Sequence, residues 1–474
     1  MLFYEPLFLF LFAPAVYLLY WLFGAGRIER LFILLLASLL FYGWSEPVFI
    51  FIVFASLALD LIVAGEIDRL PIGSAMSKFW LALGVASNLL ILVYYKYAGF
   101  LATNLDAVLQ FFSLPGFSLW KIALPIGVSF IVFEKITYLV DIYRGVSKPT
   151  NDFRLYMLYV FFFPKLLAGP IIKYHDIAHQ LEECRHAGFD DVILGFSRFM
   201  LGVIKKILIA DTMAQGADII FAHDPKVLQF GDAWIGVIFF TLEIYFDFSA
   251  YSDMAIGLAR MLGFRLLENF NMPYIAINLT DFWRRWHMSL TSWIREYLYF
   301  PLGGNKGAQA RTYFNLWVCF LASGIWHGAA WPFVIWGAYN GLFLILDRLF
   351  LINWLSNLPD WVSNFLTMII VMIGWSIFRS ASVDQSNHLL LAMVSPFGGA
   401  GLSVHIPIDY FIMMGFAIFI CFLQRLSLTL KDFDWEIMSN RFPMAINCFL
   451  SVFFVAALAK GFADPFKPFI YFRF

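Results

Sequence analysis

Charge is scarce in this 474-residue chain, where Asp, Glu, Lys and Arg together make up 14% of the residues. Soluble domains carry about 25% charged residues and about 45–50% apolar ones, even with glycine counted as apolar. The 32 basic and 33 acidic residues nearly cancel, which leaves no charge excess to bind a polyanion and excludes nucleic acid as a partner. Cysteine is rarer still: Cys184, Cys319, Cys421 and Cys448 are scattered and form no C-x-x-C pair, so neither a disulfide framework nor a zinc ribbon is expected. A G-x-S-x-G elbow and an H-E-x-x-H metal motif are both missing, which removes a nucleophilic serine hydrolase and a zinc protease from consideration. The first apolar run, at 6–23, has no Lys or Arg before it and no A-x-A site close behind. It therefore reads as a retained span, not a cleaved signal peptide. No repeat and no low-complexity linker interrupts the sequence, and a single polytopic membrane domain over 1–474 is expected.

What is abundant is apolar. The AVILMFWYC class reaches 61%, aromatics reach 20% with 56 Phe, 21 Tyr and 16 Trp, and the mean hydropathy is +0.77. No soluble interior of this size hides so much apolar surface. The chain is an integral membrane protein. A span needs about 20 apolar residues, so roughly 10–13 transmembrane helices fit the length. The apolar runs are long and unalternating, whereas a barrel needs short alternating strands; the fold class is all-α and polytopic. The run at 313–349 is long enough for two helices with a break near Gly328 to Pro332. Arg27, Arg30, Arg69 and Lys78 lie in the first and third loops and no Lys or Arg lies in the second, which places those loops in the cytoplasm and the N-terminus outside.

The most informative stretch is 269–305, NFNMPYIAINLTDFWRRWHMSLTSWIREYLYFPLGGN. On a helical wheel Phe282, Trp283, Trp286, Leu290, Trp293, Ile294 and Tyr297 share one arc, with Arg284, Arg285, Ser292, Arg295 and Glu296 opposite. This predicts a basic amphipathic helix over 281–300 at the membrane interface, capped by Thr280 or Asp281, with His287 just beyond its apolar border. That histidine is either a hydrogen-bonding group in an anchor or part of a site. In a second stretch, GIWHGAAW at 324–331, His327 lies in the middle of an apolar run. An ionisable ring at that depth faces a bundle interior or a wet cavity, and Gly324, Gly328 and Ala329 permit close approach by a helix or a substrate. Its plain alternative is a single interhelical hydrogen bond. Together the two histidines suggest a base with a helper, deprotonating a substrate hydroxyl directly.

Further polar groups sit inside apolar runs. In TLEIYFDFSAYSD at 241–253, Glu243 and Asp247 share a helix face, either lining a polar cavity or paired with Arg284 or Arg285. FFFPKLLAGP at 161–170 holds Lys165 between two prolines and predicts a kinked or re-entrant element. His175, His179, Cys184 and His186 have a spacing that a metal could use, although a solvated amphipathic loop explains it as well, and no metal is expected. The GGNKG turn at 303–307 could cradle a phosphate but lacks the strand–loop–helix context of a P-loop.

Four segments, FFFPKLLAGPIIKY (161–174), YFDFSAYSDMAIGLARMLGF (245–264), DFWRRWHMSLTSWIREYLYFPLGGN (281–305) and GIWHGAAWPFVIWGAYNG (324–341), resemble the membrane-bound O-acyltransferase family. More narrowly, they resemble its bacterial branch, which contains alginate and peptidoglycan O-acetyltransferases and the teichoic-acid D-alanyl transferase. YLVDIYR at 138–144 and FIYF at 469–472 fit the same pattern. The resemblance implies a helical funnel with re-entrant and interfacial helices, a catalytic core at 122–345, and openings that meet at the catalytic histidine, which maps onto His327. His287 maps onto the family's first motif position, which is His or Asn, and Trp286, Trp326 and Asp253 become candidates for shaping the cavity. It further implies an O-acetyltransferase of the bacterial inner membrane that has no bound cofactor and draws on acetyl-CoA or another acyl thioester. The acceptor would be an exported polysaccharide, alginate-type favoured, or a periplasmic O-acetyltransferase partner; peptidoglycan or cellulose acetylation and teichoic-acid D-alanylation are alternatives within the family. Outside it, the rival is a saccharide transporter or flippase, which would show inverted repeats and paired broken helices that this sequence lacks.

Overall fold

The structure, a computed structural model, describes residues 1–117, 122–395, 403–426, 443–464 and 467–470. Residues 427–442 of the polar interruption before the last apolar run, and Tyr471 and Phe472, lie outside the described residues. The described residues form helices and their connections, with no strand among them. Among the described residues seven helices are long and apolar enough to cross a membrane, and two shorter apolar ones accompany them. The chain is a multi-pass membrane protein.

The contacts divide the chain into two compact units, residues 1–196 with 254–267 and residues 197–253 with 268–474. The first unit holds α1 (Ala13–Phe23), α2 (Arg27–Ser45), α3 (Phe49–Arg69), α4 (Ala75–Leu92), α5 (Ala98–Phe111), α6 (Val128–Tyr143), α7 (Phe153–Phe161), α8 (Tyr174–Glu183) and the first half of α9 (Phe189–Ile204). Charge buried in this unit is paired. Asp60 on α3 accepts hydrogen bonds from Asn88 and Tyr156 and faces Lys135 on α6 at 3.2 Å. The proline-flanked segment behaves as its composition predicts: α7 ends at Phe161 after nine residues, and the backbone that follows is non-helical yet fully buried. Lys165 within it pairs with Glu134 and lies over the Tyr159 ring. The expected histidine-rich loop is partly helical: on α8 His175 meets Asp141 and His179 meets Glu183, and beyond its end His186 stands edge-on to Trp21.

The second unit holds α10 (Asp211–Phe221), most of α11 (Phe230–Met261), α12 (Leu279–Arg285), α13 (Met288–Ile294), α14 (Gln309–His327), α15 (Trp331–Leu346), α16 (Ile352–Leu355), α17 (Asp360–Arg379), α18 (Val383–Val394), α19 (Ile408–Leu426) and α20 (Pro443–Ala463). Asp247 pairs with Lys206 at 2.7 Å. This corrects the expected partnership with Arg284 or Arg285, since Arg285 is taken by Asp281 one turn before it. Asp253 is held by Arg198 and Lys205, both at 2.6 Å. A carboxylate withdrawn from water needs such partners, because several kcal/mol of desolvation must be offset.

The run at 313–349 divides as its Gly and Pro predict, α14 ending at His327 and α15 beginning at Trp331. Their contact rests on glycine. A Cβ on Gly324 would lie 2.3 Å from the Phe333 carbonyl oxygen, and one on Gly337 would lie 2.5 Å from that of Phe320. Backbones approach this closely only where side chains are absent. Gly337→Ala should separate α14 from α15 and cost about 1–3 kcal/mol, as overpacking does. A thermal melt in detergent checks this; an unchanged midpoint would show that the helices repack without strain.

Candidate active site

The stretch expected to be one amphipathic helix is two. Asn278, not Thr280 or Asp281, caps α12 by accepting from the Asp281 N–H. The helix stops at Arg285, Trp286 is extended, and His287 adopts φ 44° before α13 begins. That left-handed conformation is uncommon for a residue with a side chain, though His, Asn and Asp tolerate it better than most. It turns His287 inward, where only 2% of it is exposed, instead of leaving it at the border of an apolar stripe.

Asn269 holds the break. Its backbone carbonyl accepts from Met288 N–H, its Oδ1 accepts from the Ser289 hydroxyl at 2.9 Å, and its amide nitrogen donates to Ser252 at 3.2 Å. With the amide so oriented, Oδ1 is an acceptor, and His287 Nδ1 at 3.0 Å from it must be the donor. The tautomer is thereby fixed, and Nε2 becomes the basic nitrogen. Phe248 on α11 stands perpendicular to the imidazole, 4.6 Å between ring centres. Around Trp286 the rings of Phe270, Phe282, Tyr274 and Trp375 close a wall.

His327 ends α14. Its ring meets Trp326 at 4.9 Å, Trp336 at 5.2 Å and Phe378 at 5.3 Å. Trp326 also faces His287 at 6.2 Å, so one indole adjoins both imidazoles. His287, His327 and Trp286 line a single cavity of about 260 Å³. Asp253 does not line it, being occupied with Arg198 and Lys205.

The cavity has a chemical gradient. Its floor carries the two buried histidines and Trp283, Leu290 and Phe320, while Arg284, Arg295 and Arg348 line it and are exposed. No carboxylate lines it among the described residues. Two of these arginines lie in π-helical turns, Arg295–Tyr299 after α13 and Asp347–Leu351 after α15. Such turns shift the register of side chains and often occur at functional sites. Asp347 ties the second turn to α12 by accepting from both Thr280 N–H and the Thr280 hydroxyl. The glycine turn at 303–307 supplies Asn305, which accepts from Arg348 at 3.2 Å. An enclosed pair of imidazoles behind a cationic mouth suits proton removal from a hydroxyl beside an anionic ligand.

Sequence reasoning missed Asn269, Phe248, Arg348, Trp336 and Phe378. The first opens the stretch singled out by its composition, but its bond to His287 crosses a loop that periodicity does not describe. The others lie on α11, α15 and α17 or in the turn after α15, and only packing joins them to the histidines.

Comparison with known proteins gives the family. Residues 124–383 match the model of the membrane-bound O-acyltransferase family. The chain is 42% identical over 407 residues to the probable alginate O-acetylase of Azotobacter vinelandii, covering 85% of this chain and 80% of the relative. It is 37% identical to that of Pseudomonas putida over the full length of both. The peptidoglycan O-acetyltransferase of Helicobacter pylori is 33% identical over 427 residues, 83% of this chain and 80% of the relative.

Burial pushes the pKa of His287, which lies outside the membrane-spanning helices, down to about 3, against about 6.5 for a free histidine. The folded protein thus refuses a proton that the unfolded chain accepts. The resulting destabilisation is nil above about pH 6.5 and grows as pH falls from there towards 3, by about 1.4 kcal/mol per pH unit. Acidification from pH 7.5 to 4.5 should lower the melting temperature of the wild type more than that of His287→Asn, and equal losses in the two would contradict a buried neutral imidazole.

Proposed function

The chain belongs to the membrane-bound O-acyltransferase family and is an acyltransferase; from that premise we propose that it acetylates hydroxyls of an exported, alginate-type polysaccharide at the bacterial inner membrane. The acetyl group comes from a cytosolic thioester and passes to the polymer directly or through an exported O-acetyltransferase partner. The observation that carries this reading is the meeting of His287 and His327 in one cavity whose exposed side bears three arginines. The alginate preference is supported by the relatives named for alginate, which are 37–42% identical to this chain, against 33% for the peptidoglycan enzyme.

The residues divide the work as follows. The acceptor hydroxyl gives its proton to His327 as its oxygen attacks the thioester carbonyl. The tetrahedral intermediate collapses with loss of the C–S bond, and the departing thiolate takes the proton back from His327. The products are an O-acetyl ester and a free thiol. His287 donates through Nδ1 to Asn269, so its Nε2 accepts, which suits holding the acceptor through a neighbouring hydroxyl while the reacting hydroxyl gives its one proton to His327, and does not suit polarising the carbonyl. Arg284, Arg295 and Arg348 bind the phosphates of the donor, as guanidinium groups do through charge-assisted pairs. Aromatic walls keep water from competing as acceptor.

His327→Ala should leave a folded, membrane-inserted protein whose polymer acetylation falls about 10²–10⁴-fold, the usual worth of general-base assistance. His287→Asn should be milder than His287→Ala. Acetyl content of the secreted polymer measures both, and wild-type acetylation by the His327 variant would remove the assignment.

Replacing Arg284, Arg295 and Arg348 together by Gln should raise KM for acetyl-CoA about tenfold or more with little change in kcat. The same variant should treat a phosphate-free acetyl thioester like the wild type. An equal effect on both donors would show that the arginines do not read phosphate.

A further inference from the structure

After α20 the chain returns to α11 through a short segment, residues 467–470. Phe469 and Ile470 are only 1% and 2% exposed. Lys467 at its start pairs with Asp218 at 2.8 Å, the carboxylate that also receives Arg379 at 3.1 Å. The Ile470 N–H donates to Asp247 Oδ2 at 2.6 Å, while Oδ1 of the same carboxylate meets Lys206. The segment is thus fixed at both ends by charge-assisted bonds, which are stronger than neutral ones.

Between those anchors Phe469 packs on two rings of α11, Tyr251 at 5.0 Å and Phe248 at 5.8 Å. Phe248 is the ring that stands perpendicular to His287 at 4.6 Å. Phe270 braces it from another side at 5.0 Å. A contiguous file therefore runs from Phe469 through Phe248 to the imidazole. While Phe469 is in place Phe248 has no room to retreat from the imidazole, because a close-packed interior leaves few voids.

We infer that residues 467–470 form a positioning element of the active site, in which Phe469 wedges Phe248 against His287 and keeps its Nδ1 on Asn269. Asp247 is the anchor of the wedge, so the carboxylate singled out inside the apolar run serves His287 at one remove. Removing the Phe469 ring opens a void behind Phe248, which relaxes into it. The imidazole then loses the wall that holds its plane and populates both tautomers. The inference rests on the proposed role of His287 in holding the acceptor.

The test uses the full chain in nanodiscs with 15N-labelled histidine. Resonances of His287 are assigned by their loss in His287→Asn. In the wild type His287 should show one tautomer, protonated at Nδ1. Phe469→Ala should show exchange between tautomers, and Phe469→Leu should restore the single form. In acetyl-transfer assays Phe469→Ala should lower kcat about tenfold or more while KM for acetyl-CoA stays within about twofold, since misplacing a positioning group costs chemistry and not donor binding. Should Phe469→Ala fail to fold, Ile470→Pro, which deletes the N–H on Asp247, is expected to give the same tautomer exchange. A single unperturbed Nδ1–H tautomer in the Phe469→Ala protein, or in Ile470→Pro where that replaces it, overturns the inference whatever the activity. If His287→Ala is fully active, the role of His287 fails, and the tautomer measurement still decides whether the wedge exists.

Discussion

One side chain, that of Asn269, holds the geometry on which the rest of the site depends. Its Oδ1 accepts from the Ser289 N–H at the start of α13, from the Ser289 hydroxyl and from His287 Nδ1–H, and its amide nitrogen donates to Ser252. Without such a partner a histidine at φ 44° inside an apolar wall would be both strained and undefined in tautomer. With it the strain is spent on presenting a neutral imidazole to a cavity. The indoles and phenyl rings around that imidazole then have a fixed object to pack against.

Buried charge in this protein follows the same rule of obligatory partnership. Asp247, Asp253 and Asp60 each sit inside an apolar helix, and each has a cation and at least one further polar contact or second cation. None of them needs to be near the reacting atoms to be retained. Removing the Asp60 carboxylate would take from Lys135 its ion pair in a low-dielectric surrounding, which is destabilising by several kcal/mol, whereas Lys206 would keep Asp211 and Arg198 would keep Glu268. The arginines of the cavity differ because they are exposed. They keep their hydration until a ligand replaces it, and so are available for binding where the buried cations are not.

Much of this was legible in the sequence. Composition and run length sufficed for a multi-pass helical membrane protein, and the Gly–Pro break between His327 and Trp331 was visible as such. His287 and His327 stood out because ionisable rings are out of place among tryptophans. The segment at 161–170 announced its loss of helix through two prolines and a glycine. The amphipathic wheel over 281–300 was misleading. It sorted apolar from basic residues correctly, yet a period of 3.6 presumes an unbroken helix, and a single left-handed residue at His287 ends the regularity.

The sequence by itself determined the solvent of the fold, the helical class and the two histidines on which the proposed chemistry is placed, because each follows from local composition or from the cost of placing a group in lipid. Only the tertiary structure decided that the histidines share a cavity, that Asn269 selects the tautomer, that Arg348 joins Arg284 and Arg295, and that Asp247 answers to Lys206 and Ile470. Those are contacts between residues far apart along the chain. No periodicity encodes them, since they arise when helices with many possible neighbours settle on an arrangement that pairs buried charge while filling space.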